Sequence, residues 1–319
     1  MYETCILLST YNGEKYLGDF LKSLLSQTYR NWTLFVRDDG SKDRTLHILM
    51  DFEKSYKEKI HILYDGYGNL GAGKSFLTLL KSVPECMYYV FADQDDVWLE
   101  YKLEESLKRM ANLEASVGEH IPLLVHSDLV VVDERLRKIS NSLWKYQHIK
   151  PYKNSLNYLL LQNTVTGCTA VINNALRKLV KEIPQKAIVH DWWIALIASA
   201  FGRIEPIEKP TVLYRQHSSN YIGARKYYIT FFLYRFFKER DFAKKSLIKA
   251  IKQAEEFLSM YYDLLSDSHK KLIENFVKIP KVALFERLSI VIKNNFYKHG
   301  FIRNLGLFTV LFSLKRYEC

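Results

Sequence analysis

The sequence predicts an α/β fold in which a mainly parallel sheet is flanked by helices. In the first hundred residues, four short apolar runs alternate with segments whose apolar residues recur at helical spacing. Three of the apolar runs end in polar clusters, which read STYN, RDDGS and DQDD. Parallel α/β sheets bind ligands at the carboxyl ends of their strands, so these clusters mark the predicted functional edge.

The predicted elements follow one another in a regular order. In the first hundred residues, strands are predicted over 5–12, 31–41, 59–65 and 87–96, and helices over 13–29, 44–56 and 74–83. From residue 121 the pattern loosens, with strands predicted within 121–133, 162–173 and 211–220 and helices over 174–183 and 190–202. Beyond residue 225 the chain is predicted to form helices rich in Phe, Tyr and Lys.

The cysteines and the apolar runs bear on the cellular compartment. The four cysteines are scattered and include no Cys-x-x-Cys pair, which argues against a disulfide framework or a cysteine zinc site. The first residues lack a basic leader, and no apolar run reaches the roughly 18 residues that cross a bilayer. These features predict a cytoplasmic location.

The net charge of +11 is concentrated in the last hundred residues. Residues 225–319 hold 19 Lys/Arg against 9 Asp/Glu, and they include an aromatic and basic stretch (225–245) and an apolar stretch with a basic end (305–316). Helices of this composition lie at membrane interfaces, so an anionic membrane surface is a predicted partner and nucleic acid is not. The alternative is a basic subdomain that packs on the catalytic core or on a second subunit of a homodimer.

Residues 68–75 read GNLGAGKS and match the phosphate-binding loop G-x-x-x-x-G-K-[ST]. A predicted strand precedes the match, a helix follows it, and the next strand ends at Asp93, much like the acid that helps hold Mg²⁺ in such enzymes. Against this interpretation, the loop follows the third strand and leaves the other polar clusters without a role. Lys74 can lie near a phosphate in either case, and a P-loop kinase or NTPase remains an alternative.

The acidic cluster at 93–96 suits a divalent cation. In an extended segment Asp93 and Asp95 face the same side, and two close carboxylates bind Mg²⁺ or Mn²⁺ well. Those ions usually complete their shell with substrate phosphates. The alternative is a solvated acidic loop at the start of the helix near Trp98.

Several clusters together resemble family 2 glycosyltransferases. They are, in chain order, STYNGEKYL (9–17), QTYRNWTLFVRDDGSKDRT (27–45), NLG (69–71), FADQDDVW (91–98), TGC (166–168), HDWW (190–193) and YRQHSSN (214–220). The resemblance implies an inverting, metal-dependent enzyme with a GT-A fold. The latter half is most similar to bacterial rhamnosyltransferases of cell-wall and capsular polysaccharide synthesis. The implied parts are a nucleotide-sugar-binding half (1–120), an acceptor-binding half (121–224) and a basic, aromatic helical tail (225–319).

The resemblance also implies a role for each matching residue. The nucleotide pocket is expected to comprise Thr10, Tyr11, Asp39, Asn69, Lys74, Asp93 and Arg215. The metal ligands are expected to be Asp95 and His217, and the general base Asp191. Asp96 is expected to share the ion or to bind sugar hydroxyls, and Trp192 and Trp193 are candidates for an acceptor platform, of which at least one belongs to the core.

Simpler interpretations exist for several of these residues. Asp39 could be an ordinary turn residue, Thr10 a helix cap, and Asp191 an acid placed at a helix N-terminus by the dipole. His190 stands where many relatives have glutamate, which favours the rhamnosyltransferase subset.

The expected activity is transfer of L-rhamnose from dTDP-L-rhamnose to a lipid-linked saccharide acceptor. The protein is expected in the cytoplasm, bound to the inner face of the plasma membrane. Mg²⁺ or Mn²⁺ is the expected cofactor. The alternatives are a UDP-hexose transferase of the same fold, the P-loop enzyme, and a non-catalytic sugar-binding or scaffold subunit.

Overall fold

A computed structural model describes residues 2–218 and 240–314. The strands are β1 (Tyr2–Thr10), β2 (Trp32–Asp38), β3 (Ile60–Ile62), β4 (Cys86–Ala92), β5 (Val97–Trp98), β6 (Leu123–Val132), β7 (Lys138–Ser140), β8 (Val171–Asn173) and β9 (Arg203–Arg215). The helices are α1 (Leu17–Leu25), α2 (Thr45–Ser55), α3 (Ala72–Ser82), α4 (Lys102–Val117), α5 (Leu143–Gln147), α6 (Leu156–Leu159), α7 (Asn174–Leu179), α8 (His190–Phe201), α9 (Arg240–Tyr261), α10 (Asp267–Lys278), α11 (Leu284–Lys293) and α12 (Phe301–Ser313).

These strands form one sheet in the order β3-β2-β1-β4-β8-β6-β9-β5, with β7 paired to β6. The first four strands in this order are parallel. Their register sets Thr10 opposite Asp38 and Leu8 opposite Ala92. The carboxyl ends of β1, β2 and β4 therefore meet at one edge, as the sequence predicts.

The second half of the sheet brings distant polar segments to the same edge. Strand β9 is parallel to β6, whereas β5 runs antiparallel to β9 with Val97 opposite Leu213. Because β5 follows the acidic cluster directly and β9 ends at Arg215, this pairing places residues 93–96 beside residues 215–217. One short strand thus connects the two halves of the site.

Two apolar layers cover the two faces of the sheet. Successive residues of β1 alternate between them, with Cys5 and Leu7 in one layer and Ile6 and Leu8 in the other. The first layer includes α3, α8 and the C-terminal helices. A strand buried on both faces reads as a continuous apolar run, which explains why 5–8 could be predicted as a strand.

The C-terminal helices complete the first of these layers. Trp193 of α8 is fully buried and packs edge-on against Phe257 of α9, with ring centroids 5.4 Å apart. The described part of the tail is therefore integral to the core. Most of the predicted interfacial stretch 225–245 lies outside the described residues. Within the described residues, no helix combines the length and apolarity that a membrane crossing requires.

Two expectations from the sequence need correction. A disulfide joins Cys5 to Cys86, whose Cα atoms are 6.0 Å apart, so these two cysteines are paired, not free. They are 81 residues apart in sequence and become neighbours only through the pairing of β1 with β4. Strand β9 begins at Arg203, eight residues before the predicted start, because its first half (RIEPIEK) contains charges and a proline rather than an apolar run.

Candidate active site

Asp95 and His217 form the centre of the polar edge. The imidazole Nε2 of His217 lies 2.8 Å from Oδ2 of Asp95, and both side chains are largely buried. The His217 ring stacks on Tyr16 with centroids 4.8 Å apart. The two residues that the sequence predicts as metal ligands are thus brought together from segments 122 positions apart.

Arg215 fixes the backbone around this pair. Its guanidinium donates to the carbonyl oxygen of Asp95 at 2.8 Å, to the carbonyl oxygen of Glu134, and to the carboxylate of Asp19 at 2.8 Å. Its amide donates to Oδ1 of Asp96 at 3.0 Å. Arg215 was predicted to contact the nucleotide, and that contact stays a prediction; its observed role is to hold the acidic loop.

Asp96 lies beneath the site. It is fully buried, and its Oδ2 atom has no hydrogen-bond partner. Burial, with the nearby charges of Asp95 and Asp93, raises the pKa of its carboxyl well above the usual range. No part of the Asp96 side chain reaches the surface, and its expected role, sharing the ion or binding sugar hydroxyls, stays a prediction.

Asp96 belongs to a group of three residues whose side chains could together hold a metal ion. One ligand atom each of Asp93, Asp96 and Cys168 lies within 4.8 Å of the other two. Burial, together with the charges of Asp95 and Asp191, raises the pKa of Asp93 to about 8. The ammonium of Lys102 is also fully buried, lies 4.5 Å from the Trp98 ring, and partly offsets these acids.

Asp191 lies in the first turn of α8. Its Oδ1 accepts hydrogen bonds from Asn163 Nδ2 at 3.1 Å and from the Trp192 amide at 2.6 Å. Burial raises its pKa to about 6, against the opposing effect of these hydrogen bonds. A carboxyl with this pKa is ionised at neutral pH and still basic enough to take a proton.

Gly167 of the TGC cluster allows this arrangement. A Cβ atom there would lie 2.9 Å from Nε2 of His190 and 3.3 Å from Oδ2 of Asp191. His190 stacks on Phe76 with centroids 4.1 Å apart, and burial lowers its pKa to about 3. His190 is therefore a neutral residue that packs against Phe76. The missing side chain at Gly167 leaves room for His190 and for the carboxylate of Asp191.

The two tryptophans after Asp191 have different positions. Trp193 has no exposed surface, so its assignment to an acceptor platform is wrong and it belongs to the core. Trp192 is partly exposed, but its indole Nε1 donates to the Leu159 carbonyl at 2.6 Å. Its ring remains a candidate for contact with an acceptor.

Tyr11 directly follows β1 and is exposed, with 49% of its surface accessible. Its backbone is held by Gln94, which accepts from the Tyr11 amide at 3.0 Å and donates to the Tyr11 carbonyl at 2.9 Å. The sequence did not single out Gln94. Thr10 donates to Asp38 at 2.9 Å, which ties the ends of β1 and β2 together.

Asp39 holds the loop that resembles a P-loop. Its carboxylate is 2% exposed and accepts from the amides of Leu70 and Gly71, each at 2.8 Å, and from Arg37. Asn69 Nδ2 donates to the Asp39 carbonyl at 3.0 Å. Amides that would cradle a phosphate in a P-loop are thus already bound to a carboxylate. Contacts of Asp39 and Asn69 with a nucleotide stay predictions.

Arg37 is a buried residue with several hydrogen-bond partners, which the sequence did not predict. Its fully buried guanidinium also contacts Asp65 at 2.6 Å, Ser75 Oγ at 2.9 Å and the Gly68 carbonyl at 3.1 Å. Lys74 points elsewhere: its ammonium donates to Gln185 Oε1 at 2.7 Å. A P-loop lysine would instead face the phosphates.

Comparison with known proteins identifies the family. Residues 5–183, more than half of the chain, match the family described as Glycosyl transferase family 2. The chain belongs to this family. Over 227 residues it is 31% identical to "dTDP-rhamnosyl transferase RfbG" of Shigella flexneri, a match that covers 68% of this chain and 74% of that protein.

Two further comparisons extend this result. The chain is 29% identical over 171 residues to "UDP-Glc:alpha-D-GlcNAc-diphosphoundecaprenol beta-1,3-glucosyltransferase WfgD" of Escherichia coli, covering 54% of this chain and 60% of that protein. Its structure resembles residues 1–349 of TarS of S. aureus, with a TM-score of 0.56 and 18% identity over 92% of this chain and 80% of that chain. The fold is the GT-A fold, as the sequence predicts, and the relatives include glycosyltransferases of bacterial polysaccharide synthesis.

Proposed function

We propose that this family 2 glycosyltransferase is an inverting, metal-dependent enzyme that moves L-rhamnose from dTDP-L-rhamnose to a saccharide acceptor. The observation that carries the proposal is that Asp95, which pairs with His217, and Asp191 both lie close enough to Asp93 to raise its pKa. An inverting transfer needs one base and one site for the diphosphate. This edge offers candidates for both.

Asp191 takes the role of general base. Inversion is a single displacement: the acceptor oxygen bonds to the anomeric carbon while the bond from that carbon to the diphosphate oxygen breaks. The acceptor hydroxyl transfers its proton to the Asp191 carboxylate, and the nucleoside diphosphate leaves with the electron pair. The hydrogen bonds from Asn163 and from the Trp192 amide orient one carboxylate oxygen, and the other, beside Gly167, would take the proton.

Asp95 and His217 would hold Mg²⁺ or Mn²⁺. A carboxylate oxygen and an imidazole nitrogen at 2.8 Å suit such an ion, and the buried Asp96 carboxyl lies beneath them with an unpartnered Oδ2. A bound ion would neutralise the charge that develops on the leaving diphosphate. The position of Arg215 on the Asp95 carbonyl keeps this loop in place with or without the ion.

The identity of the donor rests on relatives. RfbG, whose name specifies a dTDP-rhamnosyl transfer, supports dTDP-L-rhamnose, and WfgD supports a UDP-hexose as the second candidate. The ring of Tyr11, beside Thr10 at the end of β1, is exposed and would stack on a nucleotide base. A P-loop activity is disfavoured because Asp39 occupies the loop amides, and a scaffold role does not need both a base and a metal pair.

The choice of donor can be tested by thermal stabilisation. A ligand that binds only the folded state raises the melting temperature. With Mn²⁺ present, we expect dTDP-L-rhamnose to raise the melting temperature more than UDP-glucose or UDP-N-acetylglucosamine at equal concentration. A larger shift with either UDP-sugar would replace the rhamnosyl assignment by the UDP-hexose alternative.

We also propose that the acceptor is lipid-linked and that α12 contacts the inner face of the plasma membrane. Phe301, Leu305 and Phe312 lie on one face of α12 and are 83%, 47% and 61% exposed. The opposite face, with Leu307, Val310 and Leu311, is buried in the core. The excess of Lys and Arg after residue 225 favours an anionic lipid surface, and the name of WfgD specifies a lipid-linked acceptor for that relative.

Replacing Phe301 and Phe312 together by serine is expected to weaken binding to phosphatidylglycerol vesicles by roughly tenfold or more, because two exposed phenylalanines no longer enter the bilayer interface. Co-sedimentation at low and high salt measures this. The control is Met87→Ser, which removes another exposed apolar side chain, on β4. Equal binding of the double variant and the control would remove α12 from the proposal.

A further inference from the structure

The segment that leads into Asp191 is bound by the C-terminal helix α9. Glu256 of α9 accepts from the amides of Gln185 and Lys186 through its two carboxylate oxygens, at 2.8 and 2.6 Å. Gln253, one turn earlier and 1% exposed, accepts from the amide of Ile188 at 2.8 Å. Three backbone groups within four residues are therefore held by two side chains of the tail.

The P-loop-like motif holds the same segment from the other side. Lys74 donates to the Gln185 side chain at 2.7 Å. A Cβ atom at Gly73 would lie 3.5 Å from Cα of Val189 and 3.6 Å from the amide nitrogen of His190. The contact with Gln185 gives the lysine of GNLGAGKS a role without any bound phosphate, and the backbone at Gly73 packs directly on the segment.

Helix α8 is fixed to α9 as well. Trp193 packs against Phe257 and Tyr261, with centroids 5.4 and 6.2 Å apart, and the Tyr261 hydroxyl donates to the Leu179 carbonyl at 2.9 Å. The residues on both sides of Asp191 in sequence are thus tied to one helix of the tail.

We propose that α9, together with Gly73 and Lys74 in the first turn of α3, is a brace that positions Asp191 for proton removal. In this proposal Gln253 and Glu256 are positioning residues, which act through residues 185–188 and touch no substrate. Displacement of a reacting group by about 1 Å can reduce a rate about a hundredfold, so a loosened segment should lower turnover. This inference rests on the proposed role of Asp191 as the base.

The test compares Glu256→Gln with Glu255→Gln. The first change replaces one acceptor oxygen with a donor that faces an amide, whereas Glu255 contacts Lys281 on the surface and does not hold the segment. A third variant, Gln253→Leu, removes the other acceptor. For each variant we would measure kcat, the donor dissociation constant, the melting temperature, and hydrogen exchange of the amides of Gln185, Lys186 and Ile188.

We expect faster exchange of these amides and a kcat at least tenfold lower in Glu256→Gln and Gln253→Leu, with donor affinity within about twofold of wild type. Glu255→Gln should match wild type in all four measurements. The proposal is overturned by faster exchange with unchanged kcat, by unchanged exchange, or by a loss of kcat that only follows lost donor affinity. If instead Asp191→Asn keeps wild-type transfer, the proposed function fails, and the exchange data still decide whether the brace exists.

Discussion

Replacing Asp191 with asparagine is expected to lower kcat for sugar transfer about 10³-fold, within the range that general bases contribute. The amide keeps the shape of the side chain and can still accept from Asn163 and from the Trp192 amide. It cannot take the acceptor proton at neutral pH. Donor affinity should stay within about twofold of wild type, because the carboxylate acts on the acceptor. Single-turnover rates and donor titrations measure the two quantities separately.

The wild-type pH profile provides an internal check on this assignment. The pKa of Asp191 is raised to about 6. As the pH is lowered through 6, the ionised fraction of the base decreases, and the transfer rate should decrease with it. The matched control is Asp51→Asn, which replaces an exposed carboxylate of α2 and should leave the rate unchanged. A loss of donor binding in Asp191→Asn equal to the loss of rate would place this residue in the donor pocket instead.

Replacing Asp95 with asparagine is expected to lower metal-dependent transfer at least a hundredfold, or about 3 kcal/mol in the barrier. The amide is a weaker cation ligand than the carboxylate and no longer pairs with His217 as a charged acceptor. The enhancement of nucleotide binding by Mn²⁺ should also disappear, which calorimetric titration with and without chelator measures. His217→Ala should change both quantities in the same direction.

Asp267→Asn serves as the control for this prediction, because that carboxylate is fully exposed on α10. Turnover of Asp95→Asn at the wild-type rate, with no response to chelator in either protein, would rule out the metal role of the pair. Retained metal dependence in Asp95→Asn with loss in an Asp96 variant would shift the metal site to the buried group of Asp93, Asp96 and Cys168.

The edge of the sheet could be predicted from the sequence because it depends on local patterns. Apolar runs that end in polar residues identify parallel strands and their carboxyl ends, and Thr10, Asp38 and Asp93 do meet there. The pairing of Asp95 with His217 was suggested by resemblance alone, since 122 residues separate them. It depends on the two-residue strand β5, which no periodicity would reveal.

Other features could not be predicted, for physical reasons. The buried contacts of Arg37 and the Cys5–Cys86 disulfide depend on which strands become neighbours. Helix α8 is apolar on nearly all sides, so its periodicity cannot distinguish the buried Trp193 from the partly exposed Trp192. The GNLGAGKS match was misleading because short glycine-rich turns serve close packing as well as phosphate binding; in this chain Gly71 has φ of +78° and Gly73 packs against Val189.

Nucleotide-dependent melting can decide whether this edge binds a nucleotide-sugar through a metal. The measurement uses wild-type protein and the Lys74→Ala and Asp95→Asn variants with dTDP, UDP and ATP, in Mn²⁺ with and without chelator. We predict a chelator-sensitive shift with dTDP or UDP that Lys74→Ala largely retains and Asp95→Asn loses, and no shift with ATP. A shift with ATP that requires Lys74, together with none for dTDP or UDP, would show that the edge does not bind a nucleotide-sugar and that GNLGAGKS acts as a P-loop.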